Sequence, residues 1–364
     1  MALIYRANAI INFAQADLGS VPVVLVVNLV AFSGLSYWLA FPLGLVAAGV
    51  VGALVELVII RRFFDAPRLI LTVATIGLAT LLAACGLLLP RLWGERPQSL
   101  PLDIPWDVNL TIDPIVLNGD DLVALIVAPL AMVLLALFLR RTDIGIAVRA
   151  AAERADRASL LGVPVKRLET VVWVVAALLA FVGAYLRAGV VGLPIGGSIV
   201  SFGFLLRTLA ALVLGRMTDL PAVAAVAVAI GLLDQGVGWN ASSPLLADPI
   251  IGAVVVVALL LRGRNPGRAT GVATSTWQAV EEVRPVPPEL RRLPEVRGTA
   301  VAITVLVAAV ALGLPLVLGA AQSLLVSATL LFAMVGLSLF VLTGWAGQVS
   351  LGQMGFVGLG AALG

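Results

Sequence analysis

The chain predicts an all-α fold, a polytopic bundle of membrane-crossing helices with about ten segments, and three observations lead there. Hydrophobic residues make up 61% of the 364 residues and charged residues 12%, with a mean hydropathy of +1.11. Soluble domains carry roughly 45–50% apolar and about 25% charged residues. The apolar excess is gathered into blocks of about 20 residues, the length that crosses a ~30 Å hydrocarbon core as helix. The arginines fall in clusters between those blocks, as cytoplasmic loops require. A fourth feature shapes the architecture: a polar motif near the start returns near the end, an internal repeat of the kind that builds two-half membrane proteins with broken or re-entrant helices.

Taken in order, the expected spans are roughly 17–35, 39–61, 69–90, 121–139, 167–188, 219–238, 247–261, 299–318 and 321–342. The run 201–215 is short for a full crossing. It reads as a tilted helix or as half of a re-entrant hairpin that turns at Thr218-Asp219-Leu220-Pro221. Arg61, Arg62 and Arg68 follow the second span. Arg140, Arg141, Arg149, Arg154, Arg157, Lys166 and Arg167 separate the fourth from the fifth, and Arg262, Arg264 and Arg268 follow 247–261. Placing all three clusters in the cytoplasm puts the proline-rich, aspartate-bearing loop 91–120 outside, as an ordered loop without a long helix. Residues 263–298 hold five prolines among mixed charges. They are expected to form a cytoplasmic tether, because such a segment cannot bury enough apolar area to offset its ordering entropy. The chain thus divides into a first half (1–262), a linker (263–298) and the opening of a second half (299–364).

The repeated motif aligns Ile11-Asn12-Phe13-Ala14-Gln15 with Val349-Ser350-Leu351-Gly352-Gln353. Each reads aliphatic, small polar, large apolar, small, Gln. In lipid, irregular backbone survives only where protein buries it or where it lines a cavity. Asn12, Phe13, Gln15, Ser350, Gly352 and Gln353 are therefore candidates for a permeation pathway. Ordinary helix capping and small-residue packing explain the same residues about equally well. A full span precedes the second motif but only Met1–Tyr5 precedes the first, so the chain is expected to be a fragment of a longer two-half protein.

Composition excludes several chemistries. The chain has no His and one Cys, Cys85. Intrachain disulfides, His-based metal sites and Ser/His/Asp triads are ruled out. No Gly-x-x-x-x-Gly-Lys-Ser/Thr occurs, and Lys166 is the sole lysine, so the chain has no phosphate-cradling loop of that type. The small net charge of +3 belongs to the loops and argues against a nucleic-acid partner. Between the fourth and fifth spans, residues 149–164 combine helix-forming alanines, the charges Glu153 and Arg157 at pairing distance, and Ser159-Leu160-Leu161-Gly162-Val-Pro164. This pattern predicts a short amphipathic helix at the membrane surface, ended by Gly162 and Pro164. Ala150, Ala151, Ala158, Leu160 and Leu161 are its candidate face for a soluble partner; an ordinary positive-inside loop is the plainer alternative.

That loop resembles the cytoplasmic coupling segment of the ABC-importer permeases for branched-chain amino acids. Leu3–Gly19 looks like the start of one permease subunit of that family, and Leu342–Gln353 like the start of the other. The resemblance implies a fusion of two membrane subunits in a bacterial plasma (inner) membrane, multi-pass. It implies two cytoplasmic ATP-binding subunits gripping Ala151, Glu153, Arg157, Ser159, Leu160, Leu161 and Gly162, and a periplasmic or extracellular substrate-binding protein. ATP would be bound by those partners; the chain itself takes no cofactor and performs no bond chemistry. An ion-coupled secondary transporter of small amino-acid-like solutes is the rival, for which Asp234 is the candidate mid-membrane acid. A membrane enzyme fits less well, lacking His and clustered acids. Glu56 is expected to reach the interface and pair with Arg61 or Arg62, while Arg207 and Asp234 read as intramembrane charges serving either structure or function.

Overall fold

The computed structural model describes residues 1–261 apart from 9, 64–65, 67, 98–99, 101, 103, 107, 113–114, 154, 193–197, 218 and 241–246. Beyond them it describes scattered positions between 294 and 319, then 320–342 and 352–363. Helices come first and last. They are α1 (Ala2–Asn8), α2 (Gln15–Ser33), α3 (Tyr37–Val58), α4 (Arg68–Leu88), α5 (Gly119–Arg141), α6 (Asp143–Glu153), α7 (Ala155–Leu160), α8 (Val165–Val191), α9 (Ser198–Leu214), α10 (Leu220–Asn240), α11 (Ala247–Leu261), α12 (Ala320–Phe340) and α13 (Gln353–Leu363). Among the described residues seven helices are long and apolar enough to cross a membrane, and Gly203–Leu214 and Pro249–Leu261 are shorter apolar helices. The expected span 299–318 lies largely outside the described residues.

The chain forms two units, Met1–Thr276 and Trp277–Gly364. In the first, α2, α3 and α8 pack on one another most extensively, with α4 added against α2. Trp173, Phe181, Leu18 and Val26 are fully buried at their contacts. Lipid is as apolar as these side chains, so the hydrophobic effect gives little drive to bring helices together within it; close packing of small residues does more. Gly52 shows this. A Cβ there would meet the Ala177 Cβ at 2.7 Å and the Trp173 carbonyl oxygen at 2.9 Å, so only glycine lets α3 lie this close to α8. By contrast α5 and α10 leave most of their apolar surface unburied, as lipid-facing helices can.

The loop between α4 and α5 begins with a 3-10 turn, Leu89–Trp93. It then forms a hairpin, β1 (Leu110–Ile112) with β2 (Ile115–Leu117), antiparallel with Leu110 opposite Leu117. The hairpin was not expected, because a three-residue strand carries too few positions for its alternation to register. At the start of α5, Asn118 and Asp121 form a capping box, which satisfies two of the N–H groups that a helix start leaves open. The short run 201–215 is helical. It turns at Arg216 and Met217, both at positive φ, into α10, one residue before the predicted Thr218–Pro221.

Candidate functional site

The repeated motif sits at a real helix break. Between α1 and α2 the backbone leaves the helix, and polar side chains take up its open groups. Asn12 Oδ1 accepts from the Ala14 N–H at 3.0 Å, and Asn12 Nδ2 donates to Gln15 Oε1 at 3.3 Å. Thr75 of α4 accepts from the Phe13 N–H at 3.2 Å and donates to the Thr72 carbonyl at 2.7 Å. Gln15 Nε2 donates to the Ala176 carbonyl of α8 at 3.1 Å. The break therefore ties α2, α4 and α8 together. Asn12 is fully buried and Phe13 nearly so. In this conformation Asn12 touches protein rather than water, an Asx-turn residue that a buried irregular backbone demands.

In the second unit, Gln353 opens α13 as Gln15 opens α2, and Gln353 Nε2 donates to Ser338 Oγ of α12 at 2.7 Å. In both copies, then, the aligned glutamine is the first helical residue and bonds back to another helix. Gly352 is exposed, and Ser350 lies outside the described residues.

Residues 143–164 fold as two short helices, α6 and α7, followed by a tight turn into α8. Gly162 has φ +83°, a left-handed conformation that favours glycine. The Val163 N–H reaches the Ala158 carbonyl at 3.1 Å and the Gly162 N–H reaches the Ser159 carbonyl at 3.0 Å. That pair of bonds is the Schellman C-terminal motif. The consequence is a presented tip: Leu160 and Leu161 are 86% and 84% exposed, with Arg157 and Ser159 also exposed. The expected face divides. Ala158 is buried and Ala151 packs on the core cluster around Val148 and Leu168, because the backbone closure turns Ala158 inward as it turns the leucines out. The Glu153 side chain and its expected pairing with Arg157 lie outside the described side chains.

Immediately beyond the tip, α8 carries Thr170. Glu56 of α3 is fully buried and pairs with Arg61, one of its two expected partners. It is held by Arg61 in a two-pronged ion pair, Nε to Oε1 at 3.1 Å and Nη2 to Oε2 at 3.2 Å. Thr170 Oγ1 donates to Glu56 Oε2 at 2.8 Å and accepts from Arg61 Nη2 at 3.0 Å. The buried carboxylate stays where it is because its lone pairs are filled. Arg207 and Asp234, weighed singly in the sequence, pair with each other across α9 and α10 at 3.0 Å. Sequence reasoning missed Thr75, Thr170 and Arg187. A single threonine in an apolar helix carries no local signal, and Arg187 stood at the end of the predicted span 167–188, where an arginine reads as a boundary. Among the described residues there is no His/Cys/Asp/Glu group able to hold a metal ion.

The fold and these polar ties, apolar helices broken where side chains hold open backbone, define a polytopic helical membrane protein. The comparisons give the family. A model described as the permease component of the branched-chain amino acid transport system matches residues 1–259, and the chain belongs to that family. It is 24% identical over 273 residues to the high-affinity branched-chain amino acid transport system permease protein BraD of Pseudomonas aeruginosa. It is 28% identical over 279 residues to the permease protein LivH of the corresponding system in Salmonella typhimurium. Identity is likewise 28% over 282 residues to LivH of Escherichia coli K12. Each alignment covers 71% of this chain and 86% of the relative. No solved structure gives a significant match.

Proposed function

We propose that this permease is the membrane part of an ATP-binding-cassette importer for branched-chain, hydrophobic amino acids. Two cytoplasmic ATPases drive it between inward and outward access, and a periplasmic or extracellular binding protein delivers substrate. ATP binds those ATPases, not this chain. Residues 1–262 form the first half and 299–364 open the second, tethered through 263–298, in a bacterial plasma membrane. The observation that carries the ATPase coupling is the exposed Leu160–Leu161 tip, clamped by its own backbone and joined to the long helix α8 by the tight turn at Gly162. Two bare leucines on a basic loop need an apolar cover, and a force applied there travels along α8 to the Gln15–Ala176 tie. Asn12, Phe13 and Gln15 of the first unit, and Ser350, Gly352 and Gln353 of the second, are the residues assigned to the substrate pathway. Ala151, Glu153, Arg157, Ser159 and Gly162 support the tip.

The test is co-purification of the full-length transporter with the ATPase subunits encoded beside it. Leu161→Asp puts a charge where an apolar anchor is needed, at a cost of about 2 kcal/mol or more for a central anchor. Gly162→Ala strains the left-handed turn by about 1 kcal/mol. Both should lower recovered ATPase while leaving membrane insertion unchanged. Unchanged recovery for these two and for Glu153→Ala removes the coupling role.

A further inference from the structure

The last turns of α8 carry an arginine with no carboxylate of its own. Arg187 sits four residues before Val191, about 6 Å along the axis from the helix end, at the end of α8 remote from the basic loop. Its guanidinium lies over the Phe204 ring of α9, 5.8 Å from the centroid. Phe204 is three residues before Arg207 and so shares its face. Arg207 and Asp234 both lie close enough to act on the Arg187 charge, yet the Asp234 carboxylate is bonded to Arg207. Among the described residues Arg187 forms no salt bridge. Within α8 beyond Thr170, α9 and α10 the charged residues are Arg187, Arg207 and Asp234, and the next acid, Asp248, stands at the start of α11. Asp120 sits beside Gly189. Two residues from Arg187 is about 200° around the helix, the opposite face.

A half-buried guanidinium without a salt bridge on an apolar helix is costly to keep, and such groups mark solute routes. A planar guanidinium recognises a carboxylate through paired N–H donors. We propose that Arg187, backed by Phe204 and by the Arg207–Asp234 pair, is a carboxylate-binding subsite that takes the α-carboxylate of the transported amino acid. The assignment of that solute rests on the transport function proposed above; the anion subsite itself does not.

The experiment uses thermal unfolding of the full-length protein in phosphatidylcholine nanodiscs. It is titrated with leucine, with 4-methylpentanoate (the same skeleton without the amine) and with leucinamide (the same skeleton without the carboxylate). Leucine and 4-methylpentanoate should stabilise the wild type and leucinamide should not. R187Q should weaken both carboxylates by about tenfold or more, the loss expected for a hydrogen bond between charged groups, and R187K should retain part of the binding. No carboxylate effect in the wild type, or an unchanged affinity in R187Q, overturns the subsite. So does stabilisation by added phosphatidylglycerol with none by either carboxylate, which would make Arg187 a lipid-phosphate contact. Cells that carry the complete transporter and take up no leucine, with carboxylate binding intact, would refute the transport function and leave the subsite standing.

Discussion

Arg61→Ala and Glu56→Gln break the same ion pair, and they should not cost the same. Glu56 is fully buried, while the Arg61 side chain is 38% exposed. Removing Arg61 deprives the carboxylate of both prongs, 3.1 and 3.2 Å, and leaves a charge buried in apolar surroundings with Thr170 as its remaining donor. Stranding one partner of a buried pair costs about 3–5 kcal/mol; partial exposure of the arginine puts this case at the low end, about 3 kcal/mol. Glu56→Gln keeps the volume and leaves an arginine that water can reach, and Thr170 keeps an oxygen to donate to. Its cost is that of a weakened hydrogen-bond set, about 1–2 kcal/mol. The double variant should lie well below the sum, since glutamine needs no counter-charge. Reversible unfolding of the purified protein in mixed micelles measures all three. Equal costs for the two single variants, or strict additivity in the double, would refute this account of a buried carboxylate held by an exposed arginine.

Two further substitutions probe the packing. Thr75→Val removes the acceptor of the Phe13 N–H and should destabilise by about 1–3 kcal/mol for an unsatisfied buried donor; Thr75→Ser should recover most of that in the same assay. Gly52→Ala drives a Cβ toward Ala177 and the Trp173 carbonyl at under 3 Å, so about 1–3 kcal/mol of overpacking strain should appear as a lower unfolding temperature, and Gly49→Ala, whose nearest neighbour atom stands at 3.9 Å, should be close to neutral.

Hydropathy located the long helices well because bilayer thickness imposes a length that any apolar block must meet. Leu220–Asn240 and Val165–Val191 fall within three residues of the expected limits. The Gly162–Pro164 stop was readable for the same kind of reason, since few residues tolerate that turn. What the sequence could not show is which polar groups meet. Glu56 lies 114 residues from Thr170 and Phe13 lies 62 from Thr75, and nothing local joins them. The motif around Asn12 was visible as polar residues in an apolar setting. Composition alone could not tell a side chain that lines a cavity from one that fills the gaps in a buried break, because both need the same donors and acceptors. The inward turn of Ala158 was hidden likewise, as alanine suits either face.

The closure at Gly162 has a kinetic meaning. Main-chain bonds from the Val163 N–H to Ala158 and from the Gly162 N–H to Ser159 hold the two leucines in place, so the partner proposed above would meet a preformed peg. The entropy of ordering is then settled during folding rather than at the encounter, as the coupling proposed above would require.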